Sequence, residues 1–102
     1  MRRANIFVND NSAGILVENN DSTYSFTYNG GYNGLPVSLT LPITSKPYIS
    51  KIVFPFFDGL IPEGWMLDII TKNYKINERD RMGLLLACCN DCIGNIRIER
   101  FE

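Results

Sequence analysis

Three cysteines, Cys88, Cys89 and Cys92, sit together near the end of a 102-residue chain. Cys89-x-x-Cys92 has the spacing of a metal clasp or a redox pair, and the thiolate would be the ligand or nucleophile. A structural zinc site wants four ligands, however, and no second Cys-x-x-Cys follows. Histidine is absent from the whole chain. That removes the commonest general base and the serine or cysteine triads built on it. The plain reading is reduced thiols at a helix end, with a redox pair or an intermolecular zinc site as the alternatives. The carboxylates Asp58, Glu63 and Asp68 lie near helix ends, where capping and the helix dipole account for them. No phosphate-binding loop, dinucleotide fingerprint or metal-ligand cluster is found. No cofactor, no metal and no enzyme activity are expected.

What remains is a surface that can grip. Phe56-Phe57-Asp58-Gly59-Leu60-Ile61-Pro62-Glu63-Gly64-Trp65 carries the only tryptophan and divides a β-patterned half from a helix-patterned half. The phenylalanines are expected to turn inward and Trp65 outward. Net charge is −1, so a nucleic-acid or anionic-membrane partner has no electrostatic support. No apolar run approaches the roughly 20 residues that span a bilayer. Met1-Arg2-Arg3 is followed by polar residues where a signal peptide needs an apolar core. A single cytoplasmic domain over 1–102 is expected.

The elements that must position this stretch can be read in order. Ala4 to Asn9 alternates as a half-buried strand, with Ile6 and Val8 on one face. Asn9-Asp10-Asn11-Ser12 and Asn19-Asn20-Asp21-Ser22 are turn chemistry. They bracket a second strand, Gly14 to Asn19, and a third follows with Tyr24, Phe26 and Tyr28 on one face. Asn29 to Gly34 is a flexible loop. Val37, Leu39 and Leu41 alternate as a short strand or extended segment ended by Pro42, and 43–49 is irregular.

Ser50 is placed to cap a short helix running to Leu60, or the helix begins only near Val53, because Pro55 fits only a first turn. Gly59 ends it. Pro62 suits the first position of a second helix, on which Met66, Leu67, Ile69, Ile70 and Tyr74 form an apolar arc. At about 100° per residue, Trp65 falls roughly 130° from the centre of that arc, beside Asp68 and Lys72. Asn77 caps a third helix with Glu78 and Asp80 in its first turn and Met82, Leu85, Leu86 and Cys89 as its buried stripe. Asn90 to Gly94 stops it, and Asn95 to Phe101 is a last strand returning to the meander. The fold class is α+β, a small antiparallel sheet with about three helices packed on one side.

Three segments resemble a known family. Pro36-Val37-Ser38-Leu39-Thr40-Leu41-Pro42 is similar to the P-[LIV]-S-L-S-L-P segment of the N-terminal domain of HipA-type kinases. Phe56 to Gly64 is similar to that domain's F-F-x-x-L-L-P-[ED]-x. Leu84-Leu85 and then Asp91-Cys92-Ile93-Gly94 resemble its L-L and G-x-D-x-x-G. The likeness keeps the family's order across nearly the whole chain. HipA kinases continue into a large serine/threonine kinase core that this sequence does not include. A free-standing copy resembles the HipS component of tripartite HipBST toxin–antitoxin systems. The resemblance implies an antitoxin that binds a HipT-like kinase toxin in trans, in a ternary complex with a HipB-like helix-turn-helix protein. It implies no direct nucleic-acid binding and no membrane. Gly64-Trp65 stands where polar residues usually follow the proline motif, and Cys89 stands where a glycine is frequent. The candidate partner-binding residues are therefore Trp65, Gly64, Glu63, Asp58 and Asp68. The alternative is a structural subunit that completes the kinase fold and bridges it to the HipB-like protein without inhibiting it.

Overall fold

The computed structural model describes residues 1–88 and 95–101. Five antiparallel strands form one sheet in the order β4-β3-β2-β1-β5. They are β1 (Arg2–Val8), β2 (Asn11–Glu18), β3 (Tyr24–Tyr28), β4 (Tyr48–Ser50) and β5 (Ile96–Arg100). The meander and the returning last strand are as expected from the alternation, since β1 pairs with both β2 and β5. Asn9 and Asp10 turn the first hairpin with φ of 50° and 66°, a region that Asn and Asp tolerate better than most residues. A bulge follows. Ile6 faces Gly14 while Phe7 faces Ser12, which leaves Ala13 as the extra residue, and adjacent Ala13 and Gly14 are both buried. Glycine is required at 14 because a Cβ there would lie 2.4 Å from the Thr27 carbonyl oxygen and 3.0 Å from the Phe26 ring.

The strands turn Ala4, Ile6, Val8, Leu16, Phe26, Tyr28, Ile96 and Ile98 into the core. The helices α1 (Pro55–Asp58), α2 (Gly64–Tyr74) and α3 (Arg81–Cys88) are the other layer. Phe57 is the hub between layers, with ring centroids 5.6 Å from Phe26, 5.3 Å from Phe56 and 6.2 Å from Phe54. On α3, Met82, Leu84, Leu85 and Leu86 are buried. Such edge-to-face and tilted contacts add to the stabilisation that area burial gives.

Several boundaries differ from the sequence reading, each for a local reason. Segment 37–41 is no strand. The chain reverses at Leu39-Thr40, with Leu41 N–H donating to the Ser38 carbonyl and Thr40 N–H donating to Ser38 Oγ. Val37 and Leu41 are buried while Leu39 is 95% exposed. The Tyr28 hydroxyl ties both ends of this turn, accepting from Val37 N–H at 2.9 Å and donating to the Leu41 carbonyl. Region 43–49 is not wholly irregular, because Tyr48–Ser50 pairs with β3. Ser50 is thus a strand residue and not a helix cap, and α1 starts at Pro55 in the first-turn position where proline costs nothing. Pro62 lies ahead of α2, which begins at Gly64. Asn77 caps only a turn, its Oδ1 accepting from Arg79 N–H at 2.8 Å. Asp80 caps α3 through Gly83 N–H. The Cys89-x-x-Cys92 motif, the helix stop at 90–94 and Cys89's place in the buried stripe lie outside the described residues.

Asp80 does a second task. Arg2 reaches it with Nη2 at 2.6 Å and reaches Glu18 with Nε at 2.7 Å, stapling the first strand to the start of α3. The hydrogen bond from Arg2 holds the Asp80 carboxyl below its ordinary value of 3.8, aided by Gly83 N–H and the Arg2 charge against an opposing desolvation. A depressed folded-state value means the stabilisation is present above 3.8 and lost as pH falls through the folded value. Asp80→Asn should therefore lower stability at pH 7 by about 1 kcal/mol once solvent screening of these half-exposed groups is allowed for, seen as a lower thermal midpoint. The gap to wild type should close as pH drops below the ordinary carboxylate value, and thermal melts from about pH 2 to pH 7 would show it.

Candidate partner-binding surface

The site is a corner between two short helices. Gly59 closes α1 in right-handed conformation, φ −68°, and the buried Ile61 pins the connection to the core. Glu63 is extended, φ −119° and ψ 173°, and makes no side-chain cap to α2. Gly64 then turns left-handed at φ +64°, with nothing within 4 Å of where a Cβ would sit. Backbone conformation alone thus demands glycine here. Gly64→Ala is expected to cost about 1 kcal/mol of stability, measurable by urea titration, because an L-residue is strained in that region without clashing.

The turn at Gly64 throws Trp65 outward. It is 70% exposed, as expected from its place off the apolar arc, and it does not fold back over the helix start. The arc itself behaves differently from expectation. Leu67 and Ile70 pack against the core only in part, while Met66 is 44%, Ile69 45% and Tyr74 59% exposed. No residue of α2 is buried. Ile69 lies four residues after Trp65 and three after Met66, so the three share a surface. Sequence spacing assigned Met66 and Ile69 to the core arc. Their period was right, but spacing cannot say how wide a strip the rest of the fold covers.

The carboxylates divide. Asp58 is not a cap: its Oδ1 accepts from Arg81 Nε at 2.6 Å, joining α1 to α3. Glu63 and Asp68 are exposed and flank the corner, Glu63 just before Gly64 and Asp68 one turn into α2. The structure thus brings Glu63, Gly64, Trp65 and Asp68 together at one helix end, and gives Asp58 a structural ion pair at the side. A large exposed indole with adjacent apolar side chains can bury area against a partner at little entropy cost.

The model of the HipA N-terminal domain matches residues 4–99. The chain belongs to the HipA N-terminal domain family. A solved structure described as the N-terminal domain of HipA toxin superposes with a TM-score of 0.72 at 28% identity, over 100% of this chain and 94% of that one. An uncharacterized protein of Haemophilus influenzae (strain ATCC 51907 / DSM 11121 / KW20 / Rd) is 32% identical over 99 residues, 97% of this chain and 92% of that protein. Within this HipA-type domain, Pro36 to Pro42 forms the Tyr28-tied turn, Phe56 to Gly64 forms α1 and the corner, and Leu84-Leu85 is the buried face of α3. The Asp91 to Gly94 part of the third segment lies outside the described residues. Among the described residues no helix is long and apolar enough to cross a membrane.

Proposed function

We propose that this chain is an antitoxin that binds a HipA-like, HipT-like serine/threonine kinase toxin in trans and inhibits it by docking the Gly64-Trp65 corner at the active cleft. The observation that carries the reading is Trp65, 70% exposed on a left-handed glycine turn in a domain of the HipA N-terminal family. The Haemophilus relative supports it, since a match over 92% of its length means that this domain occurs as a protein of nearly this size. In this reading the chain, matched to the domain that precedes the kinase core, acts as a binding protein and not as an enzyme. A HipB-like helix-turn-helix protein is the third member of the complex.

A second reading, the non-inhibitory subunit that bridges kinase and HipB-like protein, draws on apolar residues exposed away from α2: Leu39 at 95%, Ile49 at 64% and Ile52 at 65%. Co-expression of the cognate kinase toxin with this chain separates the two. Restored growth, with kinase recovered in complex with the chain, supports the antitoxin reading. A recovered complex without restored growth overturns it in favour of the bridge.

A further inference from the structure

An asparagine followed by glycine is prone to lose its side-chain amide. The next backbone nitrogen can reach the carboxamide carbon, and glycine has no side chain to block the approach. The chain has two such pairs in one loop, Asn29-Gly30 and Asn33-Gly34, and one aspartate pair open to the same ring closure, Asp58-Gly59. The fold protects two of the three. Asp58 is held by Arg81 at 2.6 Å, and Gly59 N–H already donates to the Pro55 carbonyl. Asn29 is held through main chain and side chain together. Its N–H donates to the Ala13 carbonyl and its carbonyl accepts from Tyr32 N–H. Its Nδ2 donates to Ser12 Oγ at 2.9 Å and to the Ser12 carbonyl at 3.2 Å. Asn33 and Gly34, by contrast, are both exposed, and among the described residues no hydrogen bond holds the Asn33 carboxamide or the Gly34 N–H. The glycine is itself required, since a Cβ at 34 would lie 2.7 Å from the Tyr32 hydroxyl oxygen.

We propose that Asn33-Gly34 is a self-modification site, where asparagine converts to aspartate and isoaspartate in the folded protein while Asn29-Gly30 is spared. The Gly34 backbone nitrogen gives its proton to water and attacks Asn33 Cγ. The bond from that nitrogen to Cγ forms, the bond from Cγ to Nδ2 breaks, and Nδ2 leaves as ammonia with a proton taken from water. Water then opens the cyclic imide at either carbonyl. One opening restores the main chain and leaves an aspartate side chain. The other routes the main chain through Cγ and lengthens it by one atom. Nothing is oxidised or reduced. Both products change the surface around them. No residue from Ser22 to Ser45 is charged, so the new carboxylate is the first charge in that stretch, near Leu35, which is 58% exposed. The Tyr32 hydroxyl donates to the Leu35 carbonyl at 2.5 Å, and its ring stacks on Tyr28 with centroids 5.9 Å apart. Asn33-Gly34 lies inside that Tyr32–Leu35 clasp, so an added main-chain atom displaces it.

Incubation of the folded chain at neutral and mildly alkaline pH, followed by peptide mapping, tests this. Chymotryptic cleavage after Tyr28 and Tyr32 puts the two asparagines on separate peptides. Mass then reports the amide-to-acid exchange, and enzymatic isoaspartyl methylation reports the rerouted main chain. Asn33 should convert at least about tenfold faster than Asn29, whose hydrogen bonds must open first. Its rate should rise with pH, because the nitrogen attacks without its proton. In urea, where the bonds to Asn29 are gone, the two sites should convert at similar rates. Asn33→Gln should remove the acidic species from the folded chain and leave the thermal midpoint in place. Equal rates at Asn29 and Asn33 in the folded chain would overturn the proposal. So would an Asn33 that converts in urea and stays intact in the folded chain.

Discussion

Trp65→Ala should leave the domain folded and lower its affinity for the kinase by about 2–4 kcal/mol, roughly 30- to 700-fold. The indole is 70% exposed, so its removal opens no cavity, and exposed substitutions of this kind usually change stability by about 0.5 kcal/mol or less. The loss is large because tryptophan buries a rigid apolar area with few rotamers to freeze, and because Gly64 fixes the direction in which it points. Calorimetric titration of kinase with the two forms gives the affinity, and circular dichroism verifies the fold. Equal affinities for folded mutant and wild type would remove Trp65 from the interface.

Phe57→Ala should do the reverse, damaging the fold and affecting the partner only through it. Phe57 is fully buried and in ring contact with Phe26, Phe54 and Phe56. Truncating such a side chain costs about 3–5 kcal/mol, against a total of about 5–15 kcal/mol for an ordinary domain. For a chain near 100 residues that is a fall in thermal midpoint of roughly 12–40 °C. Neighbouring rings have little room to collapse into the space, since they are already held by β3 on one side and by α1 on the other. A change of only a few degrees would show that the layers are not joined through this ring.

The contrast between these two positions, eight residues apart, is legible in the sequence alone. A tryptophan off the helical stripe and phenylalanines just before a glycine are local patterns, and local patterns survive folding. The Tyr24, Phe26, Tyr28 row likewise carries its own strand signal. What could not be read depends on distant partners. β4 is three residues long after Lys46-Pro47 and becomes a strand only because β3 offers it an edge. Leu39 alternates with its neighbours like a strand residue, yet the Tyr28 hydroxyl and the Ser38 side chain favour a turn that puts it in water. Met66 and Ile69 have core spacing, but the core covers only the Leu67 and Ile70 side of α2. Met66 and Ile69, left exposed beside Trp65, are the part of that surface that periodicity assigned to the core.

Inhibition is read from phosphoryl transfer by the isolated cognate kinase. Kinase is titrated with the purified chain while transfer from ATP and formation of the complex are followed together. Activity should fall as the complex forms and be abolished at saturation, with Trp65→Ala shifting both curves to higher concentration. A saturated complex that phosphorylates as fast as the kinase alone would contradict it.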